Sequence, residues 1–121
     1  MVAYRLLVED VERGLAFYRD LLGFSVVEQW GPAIAIIERE GVRVWLSGPQ
    51  TSAARAMPDG EKPVPGGWNR IAIGVDDLEN EVARLRTEGV EFRNETISGP
   101  GGMQILAKDG VGNFVEFFES K

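Results

Sequence analysis

Residues 4–24 read YRLLVEDVERGLAFYRDLLGF, and residues 70–92 repeat the same organisation as RIAIGVDDLENEVARLRTEGVEF. Asp10 aligns with Asp77, and a single gap then aligns the glycines that follow. Each stretch consists of a short alternating apolar segment, an acidic residue, about three helical turns and a glycine. An internal repeat of this kind predicts two modules of the same architecture in one chain.

Each repeat carries the signals of an amphipathic helix. Asp10 and Asp77 are expected to cap the helices, because a carboxylate accepts hydrogen bonds from the free N–H groups of the first turn. Gly23 and Gly89 stand where a helix commonly ends with a residue of positive φ. The predicted buried stripes are Val11, Leu15, Tyr18 and Leu22 in the first helix, and Leu78, Val82 and Leu85 in the second.

Apolar and polar residues alternate before and after each helix, which is typical of strands with one buried face. The leading strands are predicted at Tyr4–Val8 and Arg70–Val75. The later strands are predicted at Phe24–Gln29, Ala33–Glu38 and Val42–Ser47, and at Glu91–Thr96, Met103–Ala107 and Phe114–Phe118. The sequence therefore predicts the α+β class, with two βαβββ modules in tandem.

The segment between the repeats is predicted to be a linker. It holds four of the six prolines of the chain, and proline interrupts helices and sheets. We expect a single domain in which module 1 covers about 1–48, the linker about 49–67 and module 2 about 68–121. Ser52–Met57 is a candidate for a short helix within the linker.

Composition excludes several classes of function. The chain of 121 residues has no Cys and no His, which excludes disulfides, thiolate nucleophiles, imidazole bases and His-containing metal sites. The net charge of −6 disfavours nucleic-acid binding, which draws much of its affinity from Lys and Arg. No apolar run is long enough to span a bilayer, and the N-terminus lacks the features of a signal peptide. We therefore expect no membrane association and a cytoplasmic location.

Three stretches carry a resemblance to a known family: VEDVERGLAFYRDLLGF (8–24), IAIGVDDLENEVARL (71–85) and DGVGNFVEFFE (109–119). With the two βαβββ modules, they resemble the vicinal oxygen chelate superfamily of glyoxalase I, bleomycin resistance proteins and extradiol dioxygenases. The third stretch is similar to the family's closing D-P-x-G-N-x-x-E-[LF] strand, with Val111 before the Gly-Asn pair. The resemblance implies a cupped mixed sheet and a homodimer, because members of this size commonly form dimers.

The resemblance also identifies the positions of the metal ligands in metal-dependent members. They lie seven residues before each capping Asp, at the Glu of the closing motif, and at the equivalent of that Glu in the first module. Here the four positions are Ala3, Trp45, Arg70 and Glu116. Only Glu116 offers a metal-binding atom, and one carboxylate makes a poor site for a divalent ion. The resemblance therefore implies no metal and no cofactor, and is closest in character to the metal-free bleomycin-resistance branch.

Strand alternation assigns the residues that share a face with these positions. Aromatic rings on that face supply apolar area for stacking, and arginines bind carboxylate or phosphate groups. Such a mixture is typical of a small-molecule pocket. No catalytic residue is predicted, and the expected ligand is an antibiotic or an aromatic metabolite bound in the cup. The predicted ligand-binding residues are Arg5, Arg43, Trp45, Trp68, Arg70, Phe114, Glu116 and Phe118.

These residues also have interpretations that need no ligand. Trp45 is equally suited to the core or to a dimer interface, and Trp68 to anchoring a loop. Arg70 and Glu116 could simply pair with each other, because an unpaired buried charge is costly. Arg5 and Arg43 could be ordinary solvated or salt-bridged residues.

The leading hypothesis for function is a metal-free protein that resembles the bleomycin resistance proteins and sequesters a small molecule. The first alternative is a glyoxalase-like lyase, isomerase or dioxygenase of the same superfamily, with Glu116 as a general base and Arg70 as an oxyanion stabiliser. The second alternative is a protein–protein interaction module. A superfamily with isomerases, dioxygenases, lyases and binding proteins leaves these alternatives open.

Overall fold

The computed structural model describes residues 1–121. Its elements confirm the α+β class and the two βαβββ modules in tandem. The first module consists of β1 (Tyr4–Leu7), α1 (Val11–Tyr18), β2 (Ser25–Trp30), β3 (Ile34–Arg39) and β4 (Val42–Ser47). The second module consists of β5 (Ile71–Gly74), α2 (Leu78–Thr87), β6 (Ile97–Gly99), β7 (Gly102–Lys108) and β8 (Phe114–Ser120).

The strands form two four-stranded mixed sheets with the same topology. The first sheet has the order β1-β4-β3-β2, and the second has the order β5-β8-β7-β6. In each sheet the leading strand runs parallel to the last strand, and the other pairs are antiparallel. Arg5 stands opposite Trp45, and Ala72 stands opposite Glu116. Because Arg5 and Ala72 occupy the same place relative to their capping Asp, the registers show that Trp45 and Glu116 are equivalent positions.

The chain divides into two compact units. The first unit comprises Met1–Gly66 and Gly110–Gly112, and the second comprises Gly67–Asp109 and Asn113–Lys121. Between the modules, the candidate helix Ser52–Met57 is reduced to a 3-10 turn at Ser52–Ala54. The backbone is already extended at Arg55, and Pro58 disfavours a helix that would continue through Met57.

The helices begin at the predicted capping residues. The Asp10 carboxylate accepts a hydrogen bond from the Arg13 N–H at 2.9 Å, and the Asp77 carboxylate accepts one from the Asn80 N–H at 3.0 Å. Just after α1, the side chain of Arg19 donates a hydrogen bond to Asp20, which lowers the pKa of that carboxyl and raises the pKa of Arg19. Neither helix is long and apolar enough to cross a membrane.

The core of each unit lies between its helix and one face of its sheet. Leu15 of α1 is fully buried with Ile37 and Leu46 of the first sheet. Leu85 of α2 is fully buried, and Phe117 of the second sheet is almost fully so. The alternate residues of the same strands are more accessible, so each sheet has one apolar face under its helix and one face of mixed character.

The sixth strand differs from the prediction of Glu91–Thr96. The strand forms at Ile97–Gly99, and the predicted segment contributes only an isolated bridge between Phe92 and Ala107. The side-chain oxygen of Asn94 accepts the backbone N–H of Leu106 at 3.0 Å. A side chain therefore takes the place of a backbone carbonyl in the ladder, which is a property of Asn that apolar alternation does not reveal.

Candidate functional site

The mixed faces of the two sheets hold most of the predicted ligand-binding residues. We call them the first polar face and the second polar face. The first polar face consists of Arg5, Leu7, Ile34, Ile36, Glu38, Arg43, Trp45 and Ser47. The second polar face consists of Ala72, Gly74, Gln104, Leu106, Phe114, Glu116 and Phe118, with Arg70 immediately before β5.

On the first polar face, the guanidinium of Arg5 lies over the ring of Trp45. The guanidinium carbon of Arg5 is 4.9 Å from the centre of the indole ring, which is cation–π geometry. Nη1 of Arg5 donates to Oγ of Ser47 at 3.0 Å, and Ser47 is fully buried. Nε1 of Trp45 is buried and has no acceptor within the chain. Arg5 therefore presents accessible donors without an acidic partner, and the indole N–H of Trp45 is a buried donor without an acceptor.

Arg43, the other predicted arginine of this face, is held by an acid. Its Nε and Nη2 atoms both donate to Oε2 of Glu38, at 3.0 and 2.8 Å. The two side chains are 35% and 37% exposed, so the pair stands at the edge of solvent. Of the two interpretations of Arg43, the structure shows the salt-bridged one, in which Glu38 neutralises the charge of the guanidinium.

On the second polar face, Arg70 and Glu116 pair with each other. Nε and Nη2 of Arg70 donate to Oε1 of Glu116 at 3.0 and 2.7 Å, and Nη1 donates to the carbonyl of Trp68 at 2.9 Å. The side chains of Arg70 and Glu116 are 27% and 15% exposed. Each nitrogen of this guanidinium therefore has a partner within the chain.

Trp68 and Phe114 form an aromatic stack beside this pair. Their ring centres are 5.8 Å apart with an angle of 23° between the planes. The guanidinium of Arg93 lies 5.9 Å from the Trp68 ring and 6.0 Å from the Phe114 ring. Trp68 remains 63% exposed, so one large aromatic surface is open to a ligand. Arg93 was not among the predicted residues, because its contact with these two rings arises only in the tertiary fold.

An open concavity of about 410 Å³ lies at the β6 end of the second polar face. It brings together Glu116 and Phe118, which were predicted, with Ile97 and Gln104, which were not. Gln104 stands opposite Phe118, and Ile97 opposite Gln104. The sequence contained a signal for Gln104. Strand alternation in β7 places Gln104 on the same face as Phe118. The remaining lining residues are Gly99, Pro100, Gly101, Gly102, Met103 and Glu119.

The residues at the four expected metal positions do not fit a divalent cation. Ala3 offers a methyl group, Trp45 an N–H donor and Arg70 a positive charge, none of which is a metal ligand. Glu116 is a possible ligand, but its Oε1 accepts two hydrogen bonds from Arg70. No group of three or more Asp, Glu, His or Cys residues is arranged to hold a metal ion.

Structural comparison relates the chain to several solved proteins. It is similar to lactoylglutathione lyase from Agrobacterium tumefaciens, at 22% identity over 98% of this chain and 92% of that chain, with a TM-score of 0.73. It is also similar to the fosfomycin resistance protein FosX from Listeria monocytogenes, at 15% identity over 100% and 93% of the two chains, with a TM-score of 0.74. A third similar structure is TnmS3, an antibiotic binding protein from Streptomyces sp. CB03234, at 20% identity over 100% and 96%, with a TM-score of 0.69. At these identities the likenesses establish the fold.

Sequence comparison establishes the family. The profile of the Glyoxalase/Bleomycin resistance protein/Dioxygenase superfamily matches residues 1–117. The match spans both βαβββ modules and includes the closing Gly-Asn-x-x-Glu motif at Gly112–Glu116. The sequence motifs had pointed to this superfamily, and the match confirms that level of the prediction. The chain belongs to the glyoxalase/bleomycin resistance protein/dioxygenase superfamily.

Proposed function

We propose that this protein binds a small molecule without a metal ion, in the manner of the bleomycin-resistance branch of its superfamily. The observation that carries the proposal is the ion pair between Arg70 and Glu116. The one carboxylate at an expected metal position is held by a guanidinium, and the other expected positions supply no ligand atoms. The protein therefore has binding groups on its polar faces but no electrophile for the metal-assisted chemistry of metal-dependent relatives.

The chemistry of the two polar faces supports a role in binding. Aromatic rings such as Trp45 and Trp68 offer stacking surfaces, and Arg5 offers charged donors. The concavity on the second polar face adds apolar lining from Phe118 and Ile97. These features suit an antibiotic or an aromatic metabolite. The solved structures named for antibiotic binding and fosfomycin resistance share the fold, which gives precedent for this use of the scaffold.

Two further parts of the proposal concern assembly and chemistry. The homodimer stays a prediction, which light scattering at micromolar concentration tests.

The alternative function is a glyoxalase-like lyase, isomerase or dioxygenase, and the fold shared with lactoylglutathione lyase favours it as a second candidate. Metal-dependent chemistry of that kind requires a bound divalent ion, so metal content separates the two functions.

The first experiment measures metal in the purified protein and its response to added metal. We expect far less than one ion per chain after purification, and no change in melting temperature with Mg²⁺, Mn²⁺, Ni²⁺ or Zn²⁺. The Glu116→Gln variant, which lacks the only candidate ligand among the four positions, should respond to metals in the same way as the wild type. One tightly held ion per chain that is lost in Glu116→Gln would overturn the proposal and favour the enzyme.

The second experiment screens ligands by melting temperature. A panel of antibiotics and aromatic metabolites should contain compounds that raise the stability by about 2–3 kcal/mol at a hundredfold excess over Kd. Because this stabilisation follows from binding alone, no turnover of the compound should accompany it. If no compound of the panel stabilises the protein, or if stabilising compounds are converted to products, the binding function is contradicted.

A further inference from the structure

We propose that the ligand carries an anionic group, a carboxylate or a phosphate, and that Arg5 binds this group. The inference rests on the proposed function and adds the chemical class of the ligand and its anchoring residue. It selects Arg5 from the three arginines, Arg5, Arg43 and Arg70, that the sequence predicts as ligand-binding residues. Three observations on Arg5, Trp45 and Ser47 support it.

The first observation is that Arg5 has no acidic partner. Most arginines of the chain lie within 4.0 Å of a carboxylate, including both of the other predicted arginines. Arg5 is exposed and forms no ion pair, although the chain carries 19 acidic residues and a net charge of −6. An accessible guanidinium that stays unpaired in an acidic protein is available to an anion from outside the chain.

The second observation is that Arg5 is held in one orientation. The buried hydroxyl of Ser47 accepts from Nη1, and the guanidinium carbon lies over the indole ring of Trp45. A guanidinium carries five N–H donors, and neither Nε nor Nη2 donates to any group of the chain. Adjacent donors of this kind bind a carboxylate or a phosphate through two parallel hydrogen bonds. Because these two contacts restrict the side chain before a ligand binds, an anion loses less entropy in ordering it.

The third observation is the unmatched indole N–H. Nε1 of Trp45 is buried and donates to no atom of the chain, whereas most buried donors in proteins have an acceptor. The buried indole N–H therefore adds an unmatched positive dipole beside the accessible donors of Arg5. Glu38, the acid on β3 of this face, is already held by Arg43. The cross-strand row Arg5–Trp45–Ile36–Glu28 places the nearest acid of that row three strands away, which is roughly 14 Å. Local charge thus favours an anion over a cation.

The test uses four small probes and follows binding by heteronuclear NMR. Benzoate and phenylphosphonate combine an aromatic ring with an anion, benzamide is the neutral counterpart of benzoate, and inorganic phosphate carries the charge without a ring. The indole N–H signal of Trp45, assigned by its disappearance in Trp45→Phe, reports directly on the proposed site. We expect benzoate and phenylphosphonate to shift this signal, and to bind about tenfold or more tightly than benzamide. Inorganic phosphate should shift it at higher concentration.

Two arginine variants assign the effect to Arg5. Arg5→Gln should weaken benzoate binding by about tenfold or more. Arg19→Gln removes the same charge from the same unit, but Arg19 follows α1 and pairs with Asp20, so it should change the affinity by less than about twofold. Far-ultraviolet circular dichroism verifies that both variants are folded.

The outcomes separate this inference from the proposed function. Binding of benzamide as tight as that of benzoate, or unchanged benzoate binding in Arg5→Gln, overturns the anionic anchor and leaves small-molecule binding standing. Shifts confined to residues of the second polar face also overturn it. If none of the probes binds at millimolar concentration, the anionic anchor is wrong, while the antibiotic panel still decides the proposed function.

Discussion

The two units of this protein have the same topology and register but opposite charge arrangements at equivalent positions. In the first unit, the paired positions of the leading and last strands hold Arg5 and Trp45, and the cation has no acid. In the second unit, the same positions hold Ala72 and Glu116, and Arg70 neutralises the acid. The duplicated fold therefore fixes where side chains stand, while the side chains decide whether a charged group has a partner within the chain. At these positions the acid of the second face has a cationic partner, whereas the cation of the first face has no acidic partner.

The units also differ in how a hairpin connects their middle strands. Between β2 and β3 the chain turns at Gly31 with φ of 53°, and a Cβ placed there would meet no atom within 4 Å. Between β6 and β7 the turn leads into Gly102, where φ is 139° and a Cβ would lie 2.0 Å from the carbonyl oxygen of Glu119. The backbone of β8 therefore leaves no room for a side chain at Gly102 of the second hairpin, which borders the concavity, whereas Gly31 of the first hairpin has room for one.

The largest effect is expected from Gly102→Ala. The added methyl group meets backbone, which cannot move aside as a side chain can, and φ of 139° is unfavourable for alanine. We expect the free energy of unfolding to fall by about 3 kcal/mol or more. Gly31→Ala in the first unit should cost only about 1 kcal/mol, because it meets the conformational penalty without a clash. Urea denaturation of the three proteins measures both differences.

Gly99→Ala is the matched control within the second hairpin. Gly99 has no positive φ, and a Cβ there would meet no atom within 4 Å. We expect its unfolding free energy to stay within about 0.5 kcal/mol of the wild type. If Gly102→Ala were as stable as Gly99→Ala, the close approach of β7 to Glu119 would be wrong, and with it the described difference between the hairpins.

An intermediate effect is expected from the ion pairs of the two polar faces. Arg70→Met leaves the Glu116 carboxylate, which is 15% exposed, without a charged partner. We expect this to cost about 1–3 kcal/mol of unfolding free energy, because a largely buried charge loses its hydrogen bonds. Arg43→Met should cost less than about 1 kcal/mol, since Glu38 is 37% exposed and water can solvate it.

Double-mutant cycles isolate the two pair interactions from other effects of the substitutions. The cycle of Arg70→Met with Glu116→Leu should give a larger coupling energy than the cycle of Arg43→Met with Glu38→Leu. Denaturation in urea at neutral pH provides both values. Equal coupling energies would contradict the view that the less exposed pair of the second polar face contributes more to stability than the pair of the first polar face.

Much of the fold was predictable because its signals are local. The capping carboxylates of Asp10 and Asp77, the helical stripes and the strand alternation each depend on neighbours within a few residues. The sixth strand was misplaced because Asn94 inserts a side-chain acceptor into the ladder, and that choice depends on the position of β7. A contact of this kind is not encoded in the period of apolar residues.

The sequence predicted which residues share a face of the candidate site, but not which of them form ion pairs or ring contacts with one another. Alternation placed Arg5, Arg43 and Trp45 on one face, as the registers show. Which arginine pairs with an acid depends on cross-strand neighbours, and Glu38 opposite Arg43 is visible only once β3 and β4 are in register. Arg93 near Trp68 was missed for the same reason, because the two residues come together only through the tertiary fold.

The smallest effect is expected at the turn between β3 and β4, where the first unit uses a two-residue connection. Glu40 has φ of 50° and Gly41 has φ of 81°, and a hairpin turn with two positive φ values favours Asn followed by Gly. Glu40→Asn should therefore raise the unfolding free energy by about 0.5 kcal/mol, because Asn adopts this conformation at lower cost than Glu.

Loss of the Glu40 charge should cost little stability. The Glu40 side chain is 78% exposed, so its ion pair with Arg39 is weak. Glu40→Gln is the matched control, since it removes the same charge without the preference of Asn for positive φ. Thermal unfolding should show an increase of about 2 °C for Glu40→Asn and almost none for Glu40→Gln. No equivalent substitution is expected to stabilise the second unit. In its connection between β7 and β8, the Asp109 carboxylate already accepts the Asn113 N–H at 2.9 Å. Equal melting temperatures for the two Glu40 variants would show that the positive φ of Glu40 carries no measurable strain.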